Sequence, residues 1–180
     1  LGIVLEFLQQ IPYQLLALFF RAHHRGDFRL DVHADHVQGW RVRLELHPKA
    51  AALADNLREA NPYLALEPHV VRLTEDNLAP LLAKATLVCE AFDQAEAKAM
   101  LVNAVLERFP EKFLVAASGM AGLGSANAIT TRRVSRRFYL CGDGVSDVAD
   151  GLGLVASRVA VCAGHQAHMV LRLLAEEYEP

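Results

Sequence analysis

One aspartate is predicted to lie at the edge of a parallel α/β sheet where ligands usually bind. Asp93 directly follows the predicted strand of residues 87–92 and precedes a predicted helix. Ligands bind beyond the carboxyl ends of such strands, so the carboxylate is placed to hold Mg²⁺ or to orient a nucleotide. An aspartate that only caps the following helix also suits this position, and the pattern by itself favours that cap. Asp93 is therefore a candidate metal ligand and catalytic residue, and a helix cap is the alternative.

One lysine occupies an electrostatically unfavourable position. Pro48 is predicted to begin a helix, because its missing N–H would be unpaired there anyway, and Lys49 lies in the first turn. A cation at a helix N-terminus opposes the helix dipole, and a phosphate ligand would account for its presence. A solvated lysine whose aliphatic stem covers apolar surface is the alternative, and the pattern by itself favours it.

A glycine-rich stretch offers a weaker candidate for phosphate binding. Gly119, Gly122 and Gly124 superficially resemble a dinucleotide-binding fingerprint. That fingerprint follows the first strand and opens a helix, whereas residues 126–130 lead into another strand-like run. The sequence therefore predicts a flexible loop near the site rather than a phosphate cradle.

Two further groups of polar residues could hold a metal ion. His33 and His36 belong to a histidine-rich first quarter, but their spacing is not that of a regular zinc site. Asp143, Asp147 and Asp150 lie among glycines without the spacing of a Ca²⁺ loop, so turn chemistry explains them. The sequence predicts no metal site from either group.

The elements that must position these residues alternate between helix and strand, which predicts an α/β fold in a single domain spanning residues 1–180. Helices are predicted at residues 3–21, 48–60, 75–84, 94–108 and 156–177. Strands are predicted at residues 28–32, 64–73, 85–92, 113–117, 129–134 and 138–141.

Charge and composition restrict the classes of partner. A formal charge of -3 over 180 residues gives no reason to expect nucleic acid or a membrane surface as a partner. The three cysteines are widely separated, which predicts free thiols in a reducing cytoplasm. Polar residues interrupt the apolar opening, so a membrane span is not expected there. Because residue 1 is not Met, we expect a fragment or a trimmed product.

Several segments together resemble the ThiF/MoeB/HesA family. The similarity comprises a Pro48-Lys49 pair beginning a helix that ends in Asn61-Pro62, the strand and aspartate of residues 88–93, and the helix containing residues 98–102. Residues 117–122, 131–133 and 139–144 are similar to the ThiF-like branch of thiamine biosynthesis rather than to the zinc-binding branch. The resemblance covers residues 47–177, and residues 1–46 are atypical.

The resemblance implies a fold and an activity. The fold is a Rossmann-like three-layer arrangement with a mainly parallel sheet, incomplete at the N-terminus. The activity is ATP-dependent adenylylation of the C-terminal glycine of a ThiS-like, ubiquitin-like sulfur-carrier protein, with Mg²⁺, by a cytoplasmic homodimer. Lys49 then contacts the phosphates, and Asp93 serves Mg²⁺ and adenylate formation.

The chain departs from the family pattern at its N-terminus. The family has a glycine-rich loop after its first strand, then an acidic residue for the ribose and a segment that supplies an arginine. Leu1-Gly2 matches only the tail of that loop, Asp35 fits the acidic position, and residues 38–47 do not match the arginine segment. Truncation, deletion, a frameshift or loss of activity would leave this pattern. The alternative function is therefore a non-catalytic or truncated ThiF-like protein that binds a carrier without turnover.

Overall fold

A computed structural model describes residues 2–6, 29–33, 49–92 and 94–180 of the chain. Within these residues seven strands form one sheet in the order β3-β2-β1-β4-β5-β7-β6. Neighbouring strands are parallel except for the antiparallel pair β6 and β7. The strands are β1 Gly2–Glu6, β2 Arg29–His33, β3 Ala65–His69, β4 Ala85–Cys89, β5 Phe113–Ala117, β6 Thr130–Arg133 and β7 Phe138–Gly142.

Helices pack on both faces of this sheet. They are α1 Lys49–Ala60, α2 Glu75–Leu82, α3 Ala95–Arg108 and α4 Ala156–Leu174, with 3₁₀ turns at Ala126–Ala128 and Val148–Asp150. Leu87 and Cys89 of β4 join the core cluster that contains residues of α1 and α4. Val88, between them, joins the cluster beneath α2 and α3. Successive side chains of a strand point to opposite faces, so this alternation builds the three layers.

The predicted α/β fold with a mainly parallel sheet is confirmed. Strand order reverses beside β1, because β2 and β3 extend the sheet to one side and β4 and β5 extend it to the other. The crevice at such a reversal, beyond the carboxyl ends of the strands, is the usual ligand site of doubly wound sheets. Among the residues described, no helix is both long and apolar enough to cross a membrane.

One predicted element is wrong over the residues where it can be compared. A helix was expected at residues 3–21, but residues 3–6 belong to β1, which pairs with β2 and β4. A continuous apolar run suits a strand covered on both faces as well as it suits a buried helix, and only the neighbouring strands decide between them. Residues 7–21 lie outside the described part of the chain.

Candidate functional site

A buried carboxylate organises the carboxyl end of β4. Glu90 directly follows that strand, and its side chain is fully buried. Its Oε1 accepts hydrogen bonds from the Phe92 amide at 2.7 Å and from Lys98 Nζ at 2.7 Å. Its Oε2 accepts from Lys98 Nζ at 2.9 Å and from the Ala117 amide at 3.3 Å. A buried carboxylate needs such compensation, and a charge-assisted bond to an ammonium group is a strong one.

The backbone of Glu90 is held as firmly as its side chain. Its amide donates to the Val115 carbonyl at 2.8 Å, and its carbonyl accepts from Nε2 of the buried Gln166 at 2.7 Å. Lys98 belongs to α3, Gln166 to α4 and Val115 to β5. A single residue therefore joins two strands to helices on opposite faces of the sheet.

A second buried ion pair lies beyond the end of β7. Asp143 accepts from Arg158 Nη2 at 2.7 Å, and both side chains are at least nine-tenths buried. Its carboxylate also accepts from the amides of Val145 and Ser146 and from the Ser146 hydroxyl. Arg158 donates in addition to the Ala121 carbonyl. The pair therefore connects α4 to the loops that follow β5 and β7.

These bonds also determine how Asp143 titrates. Burial by itself would raise the pKa of the carboxyl group. The Ser146 and Val145 amides, the Arg158 guanidinium and the Ser146 hydroxyl outweigh burial and hold the pKa of Asp143 well below its usual range. Asp143 is therefore ionised at neutral pH.

The loops after β5 and β7 approach each other so closely that glycine is required. The Asp143 amide donates to the Gly119 carbonyl at 2.8 Å. Gly142 has φ 138°, and a Cβ there would lie 1.5 Å from the Ser118 carbonyl oxygen. Gly119 has φ 73°, and a Cβ there would lie 2.0 Å from Asp143 Oδ1. The prediction of a loop at residues 118–125 is confirmed, and a 3₁₀ turn and β6 follow it rather than an α-helix.

The three cysteines lie in the core and form no disulfide, as the sequence predicted. Burial is the largest cause that raises the pKa of each thiol, to about 11 for Cys141 and about 12 for Cys162. Burial raises the pKa of Cys89 as well. A thiol kept protonated and away from solvent is a poor nucleophile. Among the described residues, no three His, Cys, Asp or Glu side chains are grouped to bind a metal ion.

Two of the four site residues predicted from the sequence belong to the part of the chain that the structure describes. Lys49 is the first residue of α1, and this helix leads into the start of β3, so its N-terminus lies toward the carboxyl edge of the sheet. Gly2 is the first residue of β1, in register with Arg29, which differs from the loop position predicted for it. Asp35 and Asp93 lie outside the described residues. The distance from Lys49 to Asp93 stays a prediction.

Neither the Glu90–Lys98 nor the Asp143–Arg158 ion pair was predicted, although the sequence contains a sign of each. Glu90 is the one acidic residue within residues 85–92, and Arg158 is the one charged residue within residues 156–171. Lys98 lies in the first turn of α3, where a cation opposes the helix dipole just as at Lys49. Asp143 was explained by turn chemistry, which its bonds to two following amides confirm, but its bond to Arg158 was not foreseen.

The Mg²⁺ and ATP that the sequence predicted would be held at this edge of the sheet. Mg²⁺ is usually held by one or two carboxylates together with phosphate oxygens, so a single free carboxylate is enough. Both oxygens of Glu90 already accept bonds from Lys98 and from backbone amides. Glu90 therefore has no free oxygen for a metal ion, and Asp93 as the metal ligand stays a prediction.

Comparisons with known proteins agree with this geometry. The family model described as the ThiF family matches residues 42–180. The chain is similar to the crystal structure of E. coli tRNA N6-threonylcarbamoyladenosine dehydratase, TcdA, in complex with ATP, with a TM-score of 0.71, 17% identity, and 97% of this chain and 86% of that one covered. The complex of the same enzyme with AMP gives a TM-score of 0.69 and 18% identity over the same shares. No curated protein sequence matches the chain.

Proposed function

The chain belongs to the ThiF family, and from that premise we propose that it adenylylates the C-terminal glycine of a ubiquitin-like sulfur-carrier protein, using ATP and Mg²⁺. The observation that carries the proposal is the ordered carboxyl end of β4, beside the reversal of strand order. There Glu90 fixes the turn that leads to Asp93. We propose a ThiS-like carrier of thiamine biosynthesis, because the segments of residues 117–122 and 139–144 are similar to that branch of the family.

The reaction needs alignment and charge screening rather than covalent help from the protein. A carboxylate oxygen of the carrier's terminal glycine attacks the α-phosphorus of ATP, the bond to the β-phosphate oxygen breaks, and pyrophosphate leaves with the electron pair. Mg²⁺, when bound, screens the negative charges that oppose this approach. We assign Asp93 to the metal, Lys49 to the phosphates and Asp35 to the ribose. A nucleotide contact by Gly2 stays a prediction.

The buried cysteines limit what this chain does with the adenylate. Cys89, Cys141 and Cys162 are each at most 5% exposed, so none is available to attack the activated glycine. The sulfur donor that attacks the adenylate therefore comes from outside this chain. The similar E. coli enzyme is a tRNA N6-threonylcarbamoyladenosine dehydratase. At 17% identity that likeness shows the fold alone, and the net charge of this chain does not favour a polyanion.

A second candidate function, carrier binding without turnover, is favoured by the segment after β1. In this fold the loop after the first strand normally brings glycine amides to the phosphates. Here residues 7–25, which follow β1, contain no glycine. A site that lacks this preorganised contact loses rate on the order of a hundredfold or more.

Exchange of labelled pyrophosphate into ATP separates the two functions. We expect exchange that depends on a ThiS-like carrier and is absent with a carrier lacking its last glycine or with tRNA in its place. The rate should rise on the order of a hundredfold when a family-like glycine loop replaces the segment after β1, and Asp93→Asn should then abolish it. Carrier binding without exchange in either form would establish the second function. Exchange that depends on tRNA would overturn the choice of substrate.

A further inference from the structure

We propose that Glu90 and Lys98 form a positioning pair that fixes the two residues on either side of Asp93, between β4 and α3. This inference rests on the proposed function for the role of Asp93. The pair itself is defined by bonds between described residues on both sides of position 93.

Lys98 is bonded, directly or through Glu90, to the residues on both sides of position 93. Its ammonium group binds both oxygens of Glu90, and Glu90 Oε1 in turn accepts from the Phe92 amide, immediately before position 93. Its own backbone amide donates to the Gln94 carbonyl at 3.0 Å, immediately after position 93. Gln94 is the N-cap residue of α3. The lysine side chain therefore fixes the residue before the predicted metal ligand through Glu90, and the first backbone bond of α3 fixes the residue after it.

The pair also ties this turn to the rest of the carboxyl edge. Glu90 Oε2 accepts from the Ala117 amide, at the end of β5, and the Glu90 carbonyl accepts from Gln166 of α4. A displacement of Glu90 would therefore move the turn relative to two neighbouring elements. Catalytic groups must be held to a fraction of an ångström by residues whose own positions are fixed by packing and hydrogen bonds.

Glu90 does not contact the ligand itself. It is fully buried, and its two oxygens accept four hydrogen bonds from the Phe92 and Ala117 amides and from Lys98. A buried ion pair is often no more stabilising than apolar residues of the same shape, so stability alone is a weak reason for this one. Orientation of the turn that carries Asp93 gives it a role.

The test compares this pair with a buried lysine that binds the other end of β4. Lys112 is 8% exposed and donates to the carbonyl of Ala85, the first residue of β4, at 2.7 Å. Lys112→Met removes a buried ammonium group at the far end of β4 and serves as the matched control. Glu90→Gln keeps the shape of the side chain and removes its charge, Lys98→Met removes the partner, and Lys98→Arg keeps the positive charge.

Two measurements are made on each folded variant. In hydrogen–deuterium exchange, Glu90→Gln should speed exchange of the amides of residues 92–94 about tenfold, through local opening, and Lys112→Met should leave those amides unchanged. In pyrophosphate exchange, Glu90→Gln and Lys98→Met should lower kcat on the order of a hundredfold with the carrier KM unchanged, and Lys98→Arg should recover much of the loss.

The outcomes separate this inference from the proposed function. Amides of residues 92–94 that respond equally to Glu90→Gln and Lys112→Met would overturn the positioning pair, whatever the activity. Absence of carrier-dependent exchange both in the unmodified chain and in the form with a family-like glycine loop would overturn the proposed function. Hydrogen–deuterium exchange would still decide whether the pair holds the turn. A loss of activity that appears in KM alone would also contradict the inference, because a misplaced catalytic group lowers kcat.

Discussion

The two ends of β4 are both closed by a buried or partly buried lysine, but they are built differently. At the amino end, Lys112 donates to one backbone carbonyl, that of Ala85, and stacks its ammonium group over Phe109. At the carboxyl end, Lys98 binds the fully buried carboxylate of Glu90, which also accepts hydrogen bonds from two backbone amides. The first arrangement gives one backbone carbonyl a hydrogen-bond partner, whereas the second fixes the conformation of the turn after β4.

This difference follows from where a parallel sheet binds ligands. Loops beyond the carboxyl ends carry function, so their geometry has to be specified by directional bonds, and the opposite end needs only packing and satisfied backbone groups. Glu90, Asp143, Arg158 and Gln166 all lie at or near the carboxyl ends of β4, β5 and β7. Buried charge in the described residues is thus concentrated at the edge that we assign to catalysis.

The largest expected effect on stability comes from breaking the carboxyl-end pair. Lys98→Met leaves the Glu90 carboxylate buried without its counter-ion, which should lower the free energy of unfolding by about 3 kcal/mol. Lys112→Met leaves the Ala85 carbonyl without its partner and removes an exposed ion pair with Glu111, and it should cost about 1 kcal/mol. Urea denaturation of both variants measures the contrast.

A double variant sharpens this comparison. Glu90→Gln combined with Lys98→Met removes both charges and should recover a large part of the stability lost in Lys98→Met, since the unpaired buried charge is gone. Equal losses in the two lysine variants, or a double variant no more stable than Lys98→Met, would show that the two ends of β4 are energetically alike.

A smaller effect is expected where the loops after β5 and β7 meet. Gly142→Ala would place a Cβ against the Ser118 carbonyl oxygen at positive φ, and we expect it to lower the free energy of unfolding by about 2 kcal/mol. Gly153 has open space around its Cβ position, so Gly153→Ala is the matched control and should change stability by less than about 0.5 kcal/mol. Thermal unfolding of the two variants, followed by circular dichroism, tests this, and a Gly142→Ala protein as stable as the control would contradict the close approach.

The smallest effect is a pH dependence at Asp143. Its pKa is depressed in the folded protein, so its bonds contribute stability above the pKa of an unfolded aspartate, about 3.9, and that stability is lost as the pH falls through the folded value. Unfolding free energies measured between pH 7 and pH 3 should fall less steeply for Asp143→Asn than for the unmodified chain. Parallel curves would show that Asp143 titrates alike in both states.

Much of the fold could be predicted because the relevant signals are local. Strand β5 was predicted at residues 113–117 and is observed at Phe113–Ala117, and α3 was predicted within one residue of Ala95–Arg108. Thr74 is the N-cap residue of α2, and its amide donates to Asn77 Oδ1 at 2.8 Å. In contrast, β1 was mistaken for a helix, because Ile3, Val4 and Leu5 are apolar in either arrangement.

The amino-acid sequence by itself determined the alternation of helix and strand, the membership of residues 42–180 in the ThiF family, and the free state of the cysteines, because each depends on patterns within short stretches or on whole-chain similarity. Only the tertiary structure decided that Glu90 meets Lys98 and Ala117, and that Asp143 meets Arg158. These partners are eight to twenty-seven residues apart, and a charged side chain shows its partner only when the strands and helices that carry the two have packed together.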